Sequence, residues 1–167
     1  MRSEFYPVEG PWPGKLWIAA RPRGDDWLQD EMLRWHHEGV EDVLSLLTPS
    51  EERDLGIENE AAAARAVGLA FHTFPIADRD VPSSESEFAR AVDTLDSALT
   101  AGRTVVVHCR QGIGRSGMMA ACALILHGVD PAHAIDEVSQ ARGVPVPETP
   151  AQREWISHYA AGLTPAK

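Results

Sequence analysis

Within the ten residues His108-Cys109-Arg110-Gln111-Gly112-Ile113-Gly114-Arg115-Ser116-Gly117, a nucleophile, Cys109, and a cation, Arg115, stand six positions apart. Two glycines lie between them. That pattern suits phosphate chemistry. A short loop ahead of a helix N-terminus turns its backbone N–H groups inward and forms a concave nest for an anion. Gly112 and Gly114 serve such a nest because it needs backbone angles that side chains forbid and close approach of ligand oxygens. Arg115 can fold back and grip two oxygens of a phosphoryl group with its planar fork, while the amides of Arg110, Gln111, Gly112, Ile113 and Gly114 line the rest. The same amides, helix end and cation favour the thiolate form of Cys109. A thiolate held beneath a bound phosphate is placed for in-line attack on phosphorus. His108 is expected to hold the loop through its imidazole. Ser116 is expected to donate a hydrogen bond to the sulfur as it leaves. No Gly-Lys-Ser/Thr follows the loop, which excludes a Walker-type nucleotide site.

The elements that must position this loop are legible on either side of it. Thr104 to His108 is an unbroken β-branched run and reads as a buried strand. Met118 to Leu126 is apolar on every face and too long for a strand, so it reads as a buried helix. Expelling an alkoxide or phenolate also requires a proton donor on the far side of phosphorus. The best source is the segment Phe71-His72-Thr73-Phe74-Pro75-Ile76-Ala77-Asp78-Arg79-Asp80-Val81-Pro82. Gly68 to Phe74 reads as a strand and Pro75 to Pro82 as a loop bounded by prolines. Asp78 and Asp80 are both available there as the acid, and Arg79 reads as a surface charge or a substrate contact.

The sequence His108 to Gly117 resembles the Cys-x5-Arg-Ser/Thr signature of the protein tyrosine phosphatase superfamily. The small single-domain dual-specificity branch, with the Cdc14-like and kinase-associated phosphatases, is most similar. The resemblance implies that fold over most of the chain, although its specific motifs occupy only residues 72–82 and 108–117. It implies a phosphocysteine intermediate, no cofactor and no metal. Pro75-Ile76-Ala77-Asp78 resembles the family's Pro-Ile-x-Asp segment, which assigns the general acid to Asp78, with Asp80 as runner-up. A C-terminal glutamine in related phosphatases places the hydrolytic water, a role that falls here on Gln152. Thr149, Pro150 and Gln152 also read as a capping box opening a helix. Some relatives protect their nucleophile with a second cysteine, which would be Cys122; its apolar surroundings read as plain core packing.

Further helices are expected at Asp25 to His37, Glu58 to Val67, from Ser84 to Gly102 with the stripe Phe88, Val92, Leu95 and Leu99, and from Asp130 to Gly143. Val40 to Leu47 and Lys15 to Ala20 read as strands, the second pairing with Phe5 to Val8 across the Gly10–Gly14 turn. Alternating strands and helices give the expected fold class: α/β, a single domain over 1–167 with a central mixed, mainly parallel sheet of 4–5 strands and helices on both faces. The active loop would emerge at the C-terminal end of a central strand. Glu51-Glu52-Arg53 reads as a charged turn, and His36-His37 as a solvated helix end, since no ligand spacing completes a metal site.

With 167 residues and 44% hydrophobic content, the chain has length enough for a substantial core. The formal net charge of −10 argues against nucleic acid or an anionic membrane as partner. It also leaves attraction of an anionic substrate to Arg115 and the loop amides. Two cysteines, no hydrophobic leader and no apolar run of bilayer length point to a reducing, cytoplasmic setting. The expected partner is a phosphorylated protein or a small phosphomonoester, met by a monomer. Protein phosphatase is the leading reading, on phosphotyrosine with phosphoserine and phosphothreonine open to a shallow pocket. A phosphoinositide or inositol-phosphate phosphatase is the nearest alternative, and a phosphate-binding pseudophosphatase the rival from another class.

Overall fold

The computed structural model describes residues 4–163. Five strands form one sheet: β1 (Tyr6–Val8), β2 (Lys15–Ala20), β3 (Asp42–Ser45), β4 (Ala70–Thr73) and β5 (Thr104–Cys109). Their order is β1-β2-β5-β3-β4, and only the β1–β2 pair is antiparallel. The expected mixed, mainly parallel sheet is therefore present. β5 lies between β2 and β3, which explains its unbroken valines: parallel central strands are covered on both faces.

Among the described residues, seven α-helices and a short 3-10 turn at Asp25–Trp27 flank that sheet: α1 (Leu28–His37), α2 (Pro49–Asp54), α3 (Glu60–Ala66), α4 (Glu85–Thr100), α5 (Gly114–Leu126), α6 (Pro131–Arg142) and α7 (Pro150–Gly162). The strand alternation sorts side chains between two cores. Val105, Val107 and Cys109 pack with α4, α5, α6 and α7, through residues such as Phe88, Met118, Ile135 and Ile156. Val106 packs on the other face with Met32 and Trp35 of α1 and Ala64 of α3. His108 shares that second face, its ring 6.0 Å from the Trp35 ring. The α4 stripe Phe88, Val92, Leu95 and Leu99 is buried as its spacing requires.

Of the boundaries that differ from the expectations, three have a clear physical reason. Glu51-Glu52-Arg53 is not a turn but lies in α2, opened by a capping box in which Thr48 and Glu51 satisfy each other's backbone amides. α5 begins at Gly114 rather than at the first methionine, because apolarity marks only the deeply packed turns and the first turn carries Arg115 and Ser116. β3 is shorter than Val40 to Leu47, since the Val40 amide closes α1 by donating to the Trp35 carbonyl. Among the described residues, no helix is long and apolar enough to cross a membrane.

Candidate active site

The loop between β5 and α5 is held by its carbonyls. The Arg110 carbonyl accepts from the Arg21 amide at 3.3 Å, and the Ile113 carbonyl from the Gly117 amide at 3.1 Å. Between them, Arg142 at the end of α6 donates Nε to the Gly112 carbonyl at 3.0 Å and a terminal nitrogen to the Gln111 carbonyl at 3.2 Å. In a planar trans peptide the N–H points opposite to its C=O. Four consecutive carbonyls held outward therefore turn the amides of Gln111, Gly112, Ile113 and Gly114 toward the concave side. The Arg142 guanidinium lies 4.0 Å from the centroid of the Tyr6 ring on β1, which limits its swing. Gly112 has φ of 71°, and a Cβ there would stand 2.6 Å from the Ala19 carbonyl carbon, so only glycine fits.

Arg115 is fully buried and makes four hydrogen bonds. One terminal nitrogen donates to Glu51 Oε1 at 2.6 Å and to the Ile76 carbonyl at 2.7 Å. The other donates to Glu51 Oε2 at 2.9 Å and to Asp78 Oδ1 at 3.0 Å. Burial alone would push the Glu51 carboxyl up, but the hydrogen bond from Arg115, the Thr48 amide and the guanidinium charge together hold it below the ordinary range. Burial opposes the Arg115 charge, and Glu51, Cys109 and Asp78 outweigh that opposition. The Arg110 guanidinium stands 3.6 Å from the same Glu51 carboxylate.

Asp78 and Asp80 separate clearly. The amides of Phe74 and Ile76 donate to the Ser45 and Leu46 carbonyls, so the chain follows β3 as far as the buried Ile76. It then leaves the sheet, with Asp78 turned onto Arg115. The Asp80 carboxylate accepts instead from its neighbour's amide, Val81, at 2.7 Å. Arg79 adopts φ of 61° and donates to Glu148 at 3.1 Å. Gln152 is buried, with Nε2 donating to the Asp80 carbonyl at 3.0 Å and Oε1 accepting from the Glu148 amide at 3.1 Å. The capping box expected at α7 is thus half formed: Thr149 accepts from the Gln152 amide, but the glutamine side chain braces the loop after β4 through the Asp80 carbonyl. A Cβ on Gly114 would lie 2.5 Å from Glu148 Oε1 and 3.0 Å from Gln152 Oε1, so both residues roof the start of α5.

Cys109 is buried at the end of β5. The Ser116 hydroxyl is buried with no hydrogen-bond partner among the described residues, so the expected bond to the sulfur is not formed in this state. The His108 ring donates to Glu60 at 2.6 Å, both side chains fully buried. Burial pushes the Cys122 thiol far above its ordinary value, which fits core packing. Sequence reasoning brought together Cys109, Arg115, Asp78 and Gln152 but missed Glu51, Glu60, Arg142 and Glu148. The Thr48-x-x-Glu51 cap after a strand was the one local signal for Glu51.

With this geometry in place, the chain's likeness to known proteins is informative. A family model described as a DSP-PTPase phosphatase of polymorphic toxin systems matches residues 19–129. A putative tyrosine phosphatase, 197R of Invertebrate iridescent virus 6, is 36% identical over 166 residues, covering 96% of this chain and 57% of the viral protein. Cyclin-dependent kinase inhibitor 3 of Homo sapiens is 28% identical over 123 residues, 72% of this chain and 58% of the human one. The chain thus matches less than two thirds of the length of either relative. A crystal structure of kinase associated phosphatase, with the catalytic cysteine replaced by serine, superposes with a TM-score of 0.86 at 20% identity, covering 100% of this chain and 99% of that one. PTPMT1 in complex with PI(5)P gives a TM-score of 0.74 at 22% identity, over 89% and 92% of the two chains.

Proposed function

Since the chain belongs to the protein tyrosine phosphatase superfamily, in its small dual-specificity branch, we propose that it is a cysteine-dependent phosphomonoesterase acting on phosphorylated protein. The Cys109 thiolate attacks phosphorus. The bond to the leaving oxygen breaks as Asp78 gives that oxygen its proton, and a phosphocysteine remains. Water then attacks phosphorus, the P–S bond breaks, and the Asp78 carboxylate takes the water's proton. Ser116 donates to the departing sulfur, and Gln152, at the roof of α5, helps place the water. Arg115 and the loop amides of residues 110–115 stabilise the charge on the equatorial oxygens, which a preorganised site does without reorganisation.

The observation that carries this reading is the Arg115 fork. It follows Cys109 by one loop and hydrogen-bonds the Asp78 carboxylate, which supports reading the three as nucleophile, anion clamp and acid. In the resting state Asp78 lies on the guanidinium, and a phosphoryl group displaces it toward the leaving oxygen. Phosphotyrosine is the preferred substrate, with phosphoserine and phosphothreonine accepted where the pocket is shallow. A soluble monomer in the reducing cytoplasm suits a reaction that needs Cys109 as a thiol.

A second reading, a phosphoinositide or inositol-phosphate phosphatase, draws on the PI(5)P complex of PTPMT1 and on Arg110 and Arg79 beside the loop. Both arginines already face carboxylates, Glu51 and Glu148, which weakens their pull on a second phosphate. Hydrolysis of p-nitrophenyl phosphate in excess chelator tests the chemistry. Turnover that vanadate blocks and Cys109→Ser abolishes is the expected result. Turnover that survives Cys109→Ser refutes the cysteine mechanism, and phosphate binding without turnover identifies a pseudophosphatase. A panel of phosphopeptides and short-chain phosphoinositides then separates the two substrate classes, with faster phosphopeptide hydrolysis expected.

A further inference from the structure

One buried hydrogen-bonded pair near the nucleophile has no part in the chemistry described above. Glu60, the first residue of α3, and His108, the residue before Cys109, are both fully excluded from solvent. His108 Nε2 donates to Glu60 Oε2 at 2.6 Å, while Glu60 Oε1 has no hydrogen-bond partner among the described residues. The pair bridges 48 positions of sequence. Such a pair is a poor stabiliser. Desolvating a carboxylate and an imidazole offsets their attraction, and well-packed apolar residues of similar volume often do as well or better. A carboxylate with one oxygen left unpaired makes that balance worse. Stability alone does not account for it.

The other end of the ring supplies a reason. His108 Nδ1 faces the Cys109 carbonyl, in a long contact at 3.5 Å. The two ring nitrogens therefore face a carboxylate and a carbonyl, so the Glu60 contact at one fixes where the other points. The Cys109 carbonyl belongs to the peptide whose N–H is that of Arg110, the first amide of the anion nest. Drawing that carbonyl outward turns that amide inward, as Arg142 and the Arg21 amide do for the next three peptides. The edge of Trp35 packs against the ring on the α1 side, and the His108 carbonyl is fixed by the Leu46 amide of the segment after β3. The remaining charge facing the pair is Glu52 of α2, whose carboxyl is raised, first by burial and then by Glu60, with His108 acting in the opposite direction.

We infer that Glu60 is a positioning residue for the phosphatase reaction: it holds the His108 ring oriented behind the loop, so that the Cys109 end of the anion nest stays formed. Glu60 touches neither substrate nor sulfur and acts only through His108. The inference rests on the cysteine mechanism proposed above.

The test compares the unsubstituted protein with Glu60→Gln, Glu60→Leu, His108→Asn and the Glu60→Gln/His108→Asn double variant. Three quantities are read: iodoacetamide alkylation of Cys109 located by mass spectrometry, kcat and KM for p-nitrophenyl phosphate, and melting temperature. Glu60→Gln keeps the shape and removes the charge. Alkylation and kcat are expected to fall about tenfold, the effect of losing one charge-assisted hydrogen bond, with KM changing less than about twofold. Added to His108→Asn, the same substitution changes nothing further. Where Glu60→Gln melts well below the unsubstituted protein, Glu60→Leu, which replaces charge by packing, gives the same reading on a folded chain. Unchanged alkylation and kcat in a folded Glu60 variant overturn the inference, as does an equal loss on top of His108→Asn. Absence of turnover in the unsubstituted protein overturns the phosphatase reading itself, and this inference with it.

Discussion

Asp78 and Asp80 stand two positions apart in one loop, and hydrogen bonds distinguish them. Asp78 is bound to Arg115, whereas the Asp80 carboxylate is spent on the Val81 amide and its carbonyl on Gln152. Removing a general acid matters most when the leaving group is poor, because a good leaving group departs without a proton. Asp78→Asn is therefore expected to lower kcat on phenyl phosphate by about a hundredfold or more, and far less on p-nitrophenyl phosphate. Its acid–base limb in the pH–rate profile should flatten. Asp80→Asn is expected to leave the leaving-group dependence unchanged. A comparison of the two substrates with both variants checks the assignment, and reversed behaviour would transfer the acid's role to Asp80. Arg115 also loses one ion-pair partner in Asp78→Asn, so phosphate affinity is expected to be maintained or to rise while turnover falls.

At the scale of elements, the loop depends on a helix that supplies no catalytic group. α6 ends with Arg142, whose fork is matched to two successive loop carbonyls, and the Tyr6 ring keeps it there. Arg142→Leu leaves both carbonyls to reorient, and the amides of Gly112 and Ile113 with them. Orthovanadate affinity is expected to fall about tenfold or more, a charge-assisted bond being worth roughly 1.5–3 kcal/mol. Arg142→Lys, with a point charge in place of a fork, should recover only part of it. Isothermal titration with orthovanadate, beside a melting curve, reads the two effects separately. These dependencies also explain what the sequence could and could not reveal. The strand, the loop and the buried helix around Cys109 were legible because their signals are local: a valine run, two glycines, an apolar stretch. The α4 stripe was legible for the same reason. Glu51 and Glu60 were not, because their partners lie 64 and 48 positions away and nothing in a charged or alanine-rich segment announces a distant partner. In sequence Gln152 reads as a cap or a water holder, while its brace to the Asp80 carbonyl spans 72 positions. Periodicity finds the elements, and only packing reveals which carboxylates are buried.

At the scale of the whole molecule, the sheet order decides which ends meet. Placing β5 between β2 and β3 brings the segments after β2, β3 and β5 to one edge, where Arg21, α2 and the Cys109 loop converge. β4 runs parallel at the end of the same sheet and delivers Asp78 to that edge too. The Glu51–Arg115 pair ties α2 to α5 across this convergence, so it contributes to stability. The Glu51 carboxyl is held below its ordinary value in the folded chain, so the unfolded chain binds that proton more readily. The pair's contribution is therefore fully present above the unfolded value of about 4.3 and is lost as pH falls through the lower folded one. Glu51→Ala removes it at every pH and leaves Arg115 buried with less compensation, a loss of about 3 kcal/mol. For a chain of this size that corresponds to a melting temperature lower by roughly 10 °C near neutral pH. The gap between the two proteins should narrow on acidification, because the unsubstituted protein loses the same contribution between about pH 4 and the lowered folded value. Thermal unfolding from pH 7 down to pH 3 checks both the size and the sign. A gap that stays constant throughout would mean that Glu51 acts by packing and helix capping rather than by its charge.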